Sequence, residues 1–262
     1  YRIGSQLYTD PYLYKQVEVL RGTIGSFEYG SGVFGGVVRL ETIDASDLTN
    51  GEIGFAGRQT LEFSSNGEGI TSSTTLAWQP SEDLEFLLNY TRRTLDTTTD
   101  GDGNEINPAG GDINDPSYLL KGKYSFGQDR DQSLTFSYSN TEQEQFDVPY
   151  DTFGTTAFGN VDRLIKNEVA TLRYNFDPLD NNWLNLTAEL THADELVMSE
   201  AVAGPSGLLD ADNRYQTTTL RLKNESLFTT GTIDHELRTG IEYIQRDRQD
   251  ASAGSAPGGT KE

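Results

Sequence analysis

The chain has 262 residues, no cysteine and a formal net charge of −21, from 20 Lys+Arg against 41 Asp+Glu. These figures exclude a disulfide framework and a cysteine-based metal site, and they argue against a nucleic-acid binder, which needs a basic stripe. No apolar run approaches the roughly 20 residues of a transmembrane helix, while 13 Tyr, 12 Phe and 27 Gly are the composition of β-structure, not of an aromatic-poor disordered chain.

The first residue is Tyr1 and the single methionine is Met198, so a processed chain or a piece of something longer is expected. No export signal opens it. In chain order, residues 15–21 (KQVEVLR) read as a short strand with Val17, Val19 and Leu20 buried. Six glycines follow at Gly22, Gly25, Gly30, Gly32, Gly35 and Gly36, a density that implies tight turns and close backbone approach. Residues 37–42 (VVRLET) read as a second strand, and 46–51 as a polar connector.

From about Gly51 onward, apolar and polar residues alternate with period two, the signature of strands. Nine strands are predicted, at 54–63, 72–78, 84–91, 118–126, 133–139, 170–176, 184–190, 220–228 and 235–243. The strand at 84–91 is typical: Leu84, Phe86, Leu88 and Tyr90 share one face, and Glu85, Asn89 and Thr91 the other. The one at 220–228 is weaker, with Asn224 and Ser226 on its apolar side. Connectors alternate in length: 80–83, 127–131, 177–182 and 229–234 are short, and 97–116, 142–166 and 197–214 are long. A meander whose two rims differ in this way is the pattern of a transmembrane β-barrel, with short turns at one rim, long loops at the other and the apolar face toward lipid. The fold class expected is therefore all-β: an antiparallel up-and-down transmembrane β-barrel, partial at about nine strands. The acidic residues of 97–116, 142–162 and 208–212 then mark aqueous loops and not a cationic partner.

The stretch 8–42, YTDPYLYKQVEVLRGTIGSFEYGSGVFGGVVRLET, reads physically as a compact, glycine-turned segment between two strands, set before a barrel. A wide barrel needs such a segment to fill its lumen. The stretch resembles the late plug signature of TonB-dependent outer-membrane receptors. The match is carried by Glu18, Arg21, Gly22, Tyr29, Gly30, Gly32, Gly35 and Gly36, with residues 16–22 and Ser26 around them. That family has Pro where Thr23 stands, which leaves the turn less rigid here. The flanks TDPYLYKQVEVLRG and GGVVRLETIDASDL look like the haem/haemoglobin receptor branch, as do segments at 168–174, 185–188, 220–226 and 234–247.

The resemblance implies residues 1–45 as the C-terminal part of a plug domain and 46–262 as the N-terminal portion of the barrel. It implies a receptor that imports an iron source without covalent chemistry, with haem or haem from haemoproteins as the favoured cargo. Ligand binds the outer loops and plug apex, and the TonB energy-coupling complex pulls on a segment near the receptor's N-terminus that this chain lacks. The partners implied are TonB, a haem, haemoprotein or siderophore ligand, and outer-membrane lipid, in a Gram-negative-type cell; haem or an iron chelate is cargo and not a resident cofactor. A siderophore receptor of the same fold, a passive porin and a soluble or surface all-β binding module are the alternatives.

Remaining candidates for chemistry are few. No serine sits in a Gly-x-Ser-x-Gly elbow, so no nucleophile is expected. An axial haem ligand would be a histidine, yet His192 and His235 fall by parity on the lipid side or at a rim. Asp100, Asp102 and Asn104 (DGDGN) resemble the start of a calcium loop, but Glu105 stands where Gly is needed and Gly111 where the closing Glu belongs. A solvated acidic loop is the favoured reading there, with Asp112 and Asp115 as candidates to complete an irregular site.

Overall fold

In the computed structural model, the described residues are 9–22, 35–106, 113–150, 159–203 and 210–252. They form almost only strands. β1 (Tyr14–Arg21) and β2 (Gly36–Thr42) make an antiparallel ribbon, followed by a one-turn helix, α1 (Ser46–Thr49). Then come β3 (Gly54–Ser64), β4 (Gly69–Ser81), β5 (Leu84–Leu95), the small pair β6 (Thr98–Thr99) and β7 (Glu105–Ile106), β8 (Ile113–Phe126), β9 (Gln132–Pro149), β10 (Asn160–Phe176), β11 (Leu186–Ala203), β12 (Ala211–Thr230) and β13 (Ile233–Ser252). Nine of these form one open antiparallel sheet in the order β13-β12-β11-β10-β9-β8-β5-β4-β3. Apart from the β6–β7 insertion, each strand pairs with its neighbours in sequence, so the sheet is an up-and-down meander. All nine predicted strands are present.

The alternation holds side by side across the sheet. β4 is alternately buried and exposed along most of its length. One face, called inner, meets the N-terminal segment. The outer face carries a broad apolar band that includes Leu76, Leu88, Leu120, Phe136, Leu172, Leu190, Leu220 and Leu222, all exposed. Aromatic rows bound the band. At the short-turn end Trp78 stacks on Phe86 with ring centroids 5.7 Å apart, Tyr124 on Phe126 at 5.4 Å, and Trp183 on Phe228 at 4.8 Å. At the other end Tyr118 lies 5.8 Å from Tyr138. Phe126 to Tyr118 is eight residues on one strand, roughly 26 Å at about 3.3 Å each.

Three expectations are corrected. The long connectors at 142–166 and 197–214 are largely strand: β9 runs to Pro149, β10 starts at Asn160, β11 runs to Ala203 and β12 starts at Ala211. Past the outer aromatic row β9 is polar on both faces over 142–145, while β10 and β11 place Val161, Ile165 and Val197 in small buried clusters, so the polar-inner, apolar-outer alternation that marks the strands elsewhere is lost there. Similarly, β8 begins at Ile113, inside the loop predicted at 97–116. Its Pro116 is tolerated because β8 pairs with β9 only from Ser117 onward, leaving one side of the strand unpaired at the proline. Thirdly, Val17 and Val19 are not buried; they are 58% and 61% exposed, because β1 pairs only with β2 and no other described element covers that face.

Asn224 and Ser226, the polar residues on the apolar side of β12, have a local task. Asn224 Nδ2 and Ser226 Oγ both donate to the Trp183 carbonyl at 2.9 Å, and Asn224 Oδ1 accepts from the Asn185 N–H at 3.1 Å. They satisfy the connector that lays Trp183 onto Phe228.

Candidate functional site: the inner face and its docked segment

The N-terminal segment is attached to the inner face through two short stretches that meet at the base of the β1–β2 ribbon. Pro11 sets φ for a 3-10 turn over Pro11–Leu13, and the Asp10 carboxylate caps it by accepting from Tyr12 N–H at 2.9 Å. The turn aims Leu13 at the sheet. The Ile43 N–H donates to the Leu13 carbonyl at 3.1 Å, closing the base. Leu13, Ile43 and Ala45 then pack with Ala77 of β4, Leu87 of β5 and Leu119 of β8 in one buried cluster, with Tyr14, Leu48 and Ala56 at its edge. Burying a Leu side chain fully contributes about 2 kcal/mol, and Leu13 and Leu119 are both inaccessible to solvent.

Polar contacts flank the cluster. Buried Asp10 accepts from the Ser117 hydroxyl of β8 and lies 3.9 Å from Arg93 of β5. Tyr12 donates to Glu62 of β3 at 2.8 Å. On the opposite side Asp44 sits between two lysines, Lys15 of β1 at 2.7 Å and Lys121 of β8 at 2.5 Å, and Lys121 also donates to Thr42 Oγ1 at 3.1 Å. Burial opposes the charge on Asp44, but the hydrogen bonds from Lys121 and Lys15 outweigh it and hold the carboxyl below its ordinary range. Glu85 of β5 accepts from the Ser46 N–H at 3.1 Å and pairs with Lys123 at 3.2 Å. Thr49 donates to Gln79 of β4 at 2.8 Å. Beneath lies a neutral polar patch in which Asn89 donates to Ser73 at 3.1 Å and to Thr75 at 2.8 Å, and Thr91 donates to Ser73 at 2.8 Å. A cavity of about 140 Å³ opens beside Asp10, lined by Arg93, Asp115, Ser117, Thr141 and Gln143 among others.

Farther along the inner face the chemistry changes. Arg173, Glu189, Arg221 and Glu242 stand directly opposite one another on β10, β11, β12 and β13. Arg173 Nε donates to Glu189 at 2.7 Å, Arg221 lies 3.9 Å from Glu189, and Arg221 Nε donates to Glu242 at 2.8 Å. The sequence reading missed this ladder. Its signal was available only as one charge per strand at matching positions, and that needs the register.

Of the residues singled out from sequence, Glu18 pairs with Arg39 across the ribbon at 3.4 Å, and Arg21 ends β1 opposite Gly36. Gly22 has φ +91° and donates to the Gly35 carbonyl at 3.1 Å. Gly36 has φ +149°, and a Cβ there would lie 2.3 Å from the Leu20 carbonyl oxygen, so this crossing needs glycine. Tyr29, Gly30 and Gly32 lie outside the described residues, as does Asp112. Asp100, Asp102 and Asn104 form the turn between β6 and β7. Asp100 Oδ1 accepts from the backbone N–H groups of Asp102 and Asn104, each at 2.9 Å, and the Asn104 bonds hold the Asp100 carboxyl below its usual range. Its carboxylate serves its own loop. Asp115 is on the inner face beside Asp10, away from that turn. Among the described residues no three His, Asp or Glu side chains are grouped to hold a metal ion. Both histidines are on the outer face, as their parity implied: His192 Nδ1 is 2.9 Å from Thr218 Oγ1, and the His235 ring stacks on Phe228 at 4.9 Å.

No family model matches the chain. Among curated proteins it is 28% identical over 251 residues to the hemin receptor of Yersinia enterocolitica, covering 95% of this chain and 35% of that protein. It is 28% identical over 274 residues to TonB-dependent heme receptor A of Haemophilus influenzae, covering 95% and 36%. The chain thus spans about a third of the length of these relatives. Among solved structures, the hemophore receptor HasR of Serratia marcescens, in complex with its hemophore HasA and heme, superposes with a TM-score of 0.79 at 22% identity, over 94% of this chain and 34% of that one. The FrpB iron transporter of Neisseria meningitidis gives 0.75 at 20% identity, over 94% and 38%. The structural likeness bears out the fold, an open portion of an antiparallel up-and-down barrel, and the curated relatives bear out the resemblance read from residues 8–42. Over nearly its whole length this chain is similar in sequence to TonB-dependent haem receptors, and it carries the barrel fold of such receptors.

Proposed function

We propose that the chain is the plug end and first barrel strands of a TonB-dependent receptor that imports haem across the outer membrane of a Gram-negative-type bacterium. Residues 1–45 are the C-terminal part of the plug and 46–262 the beginning of the barrel. The outer apolar band faces lipid, with its aromatic rows at the two interfaces. TonB acts on a segment preceding these residues and haem enters from the outer rim. The observation that carries the reading is sequence similarity to receptors named for hemin and heme over 95% of the chain. The docked base supports it, because a segment seated on the inner face of a barrel wall is where a plug must be.

The test is growth of a haem-auxotrophic host that carries the full-length receptor. Haem-dependent growth that needs a functional TonB is expected. Growth on ferric siderophores but not on haem would move the cargo to the siderophore alternative. A full-length protein that stays soluble without detergent would overturn the membrane reading in favour of a soluble all-β binding module.

A further inference from the structure

Far from the docked segment, β10 carries a buried arginine that the sequence reading passed over. Arg163 has the parity of Arg173, so its side chain is on the inner face. Ala170 pairs with Tyr138 of the outer aromatic row, and Arg163 is seven residues beyond it toward the long loops. That is roughly 23 Å at about 3.3 Å per residue, well past the membrane on the loop side. Arg163 is nonetheless 7% exposed. Its Nη2 donates to the carbonyls of Pro149 at 3.1 Å and Tyr150 at 2.8 Å, and its Nη1 to Gln145 Oε1 at 3.4 Å. A guanidinium removed from water is costly unless its donors are matched, and apolar packing would hold a wall more simply. Arg163 directs its donors at main chain, so what it fixes is the course of the chain at the end of β9.

That course turns inward. The register between β9 and β10 shifts between Val161 and Arg163, and Asp147 stands there at φ +51°. Asp162 accepts from the Asp147 N–H at 2.9 Å, and Asn160 Nδ2 donates to Asp147 Oδ1 at 2.9 Å, which fixes the bulge. A bulge bends its strand and re-aims the side chains beyond it. Past the bend, Tyr150 packs on two buried inner-face pairs, Ile165 with Val197 and Val148 with Val161, and its N–H donates to the Gly159 carbonyl at 3.1 Å. The Tyr150 ring is thus laid against the inner wall above the membrane, on an apolar patch, with Arg163 holding its carbonyl from below.

We infer that Arg163 is a positioning residue for ligand capture: it holds the end of β9 over the inner wall so that the Tyr150 ring meets haem on its way into the lumen. The inference rests on the receptor reading and adds to it a contact residue and the group that places it. A planar, largely apolar porphyrin suits an aromatic ring set among valines and isoleucine.

The experiment measures haem uptake by the full-length receptor in energised cells, as the half-saturating haem concentration and the maximal rate per receptor. Arg163→Gln is expected to raise the half-saturating concentration roughly fivefold, with the maximal rate within about twofold of the parent. Arg163→Lys, which keeps a cationic donor, should recover part of that loss. Tyr150→Ala should raise the half-saturating concentration similarly, and adding Arg163→Gln to it should change the value less than about twofold, because the arginine acts through the tyrosine. An unchanged half-saturating concentration in Tyr150→Ala, or two effects that multiply in the double variant, would overturn the inference, as would a fall in maximal rate alone in Arg163→Gln. If Arg163→Gln does not reach the membrane, Tyr150→Ala and Arg163→Lys still decide it. If the parent receptor takes up no haem, the cargo reading fails instead, and the positioning role is read from maleimide labelling: Tyr150→Cys should react severalfold faster when Arg163→Gln is added, and an equal rate would overturn it. This chain contributes no cysteine of its own to that measurement.

Discussion

The inner face of this sheet has two chemistries. Where the N-terminal segment lies on it, across β4, β5 and β8, the wall presents Ala77, Leu87 and Leu119 beside neutral Ser73, Thr75, Asn89 and Thr91. Of the charges it carries there, Lys121, Glu85 and Arg93 meet groups of the segment, and Lys123 pairs with Glu85. Across β10 to β13 the same face is an alternating ladder of Arg173, Glu189, Arg221 and Glu242. A wall that is covered must exclude water, so its polar groups are either small and mutually bonded or matched one by one to the occupant. Where no described residue lies against it, the wall is knit by cross-strand ion pairs, each contributing roughly 0.2–1 kcal/mol. The change of chemistry along one face thus follows where the described N-terminal segment lies against it.

Substitutions that exchange the two chemistries test this comparison, and the largest effect is expected at the seat. Leu119→Ala removes the centre of the buried cluster and should cost about 2–4 kcal/mol of docking. The full-length receptor should then unfold at lower temperature in detergent, with earlier protease cleavage of residues 9–45. Leu120→Ala, one residue away but on the outer face, should leave cleavage of that segment unchanged. Equal cleavage in the two variants would remove the distinction between covered wall and outer face.

Next comes the ladder. Glu189→Gln leaves Arg173 and Arg221 on either side of a neutral residue and should cost about 1 kcal/mol, from two weakened cross-strand pairs. The loss should shrink in high salt, because these side chains are partly exposed and screened. A loss that is insensitive to salt would mean that the ladder is as dry as the seat.

A smaller effect follows from pH. Asp44 has its folded pKa held down by Lys121 and Lys15. The carboxylate therefore contributes stability that is fully present above the ordinary carboxylate value and is lost as pH falls through the lowered one. Cleavage of residues 9–45 should rise as pH drops below about 4. Asp44→Asn should raise cleavage modestly at neutral pH and flatten that acid arm. An unchanged acid arm in Asp44→Asn would assign it to another carboxylate.

Much of this was legible from sequence because lipid-facing strands must alternate. Trp78, Phe86, Leu88 and Leu120 give away both the strand and the face. Legibility stopped where that demand stops. The continuation of β9 through Glu142–Gln145 has no apolar face to show, and the Asn224 and Ser226 pair looked like a weak strand until the Trp183 carbonyl supplied their partner. The seat was half legible. The Thr-Asp-Pro run marked a place of interest, but that Asp10 joins Ser117 over a separation of 107 residues is a matter of register and packing, which no local pattern encodes. Val17 and Val19 misled for the converse reason: alternation says which residues share a face, and not whether anything covers it.

The smallest expected effect on uptake is at the two histidines, and it sharpens the division between faces. A haem ligand must be reached from the aqueous inner side or the outer loops, whereas His192 is bonded to Thr218 and His235 is stacked on Phe228, both on the outer face. His192→Ala should leave haem uptake by the full-length receptor unchanged. His235→Ala removes one ring from an aromatic stack and should cost about 0.5–1.5 kcal/mol of stability, again with uptake intact at equal expression. Loss of uptake in either variant, with normal receptor levels in the membrane, would mean that ligand reaches this face, and the assignment of inner and outer walls would have to be reversed.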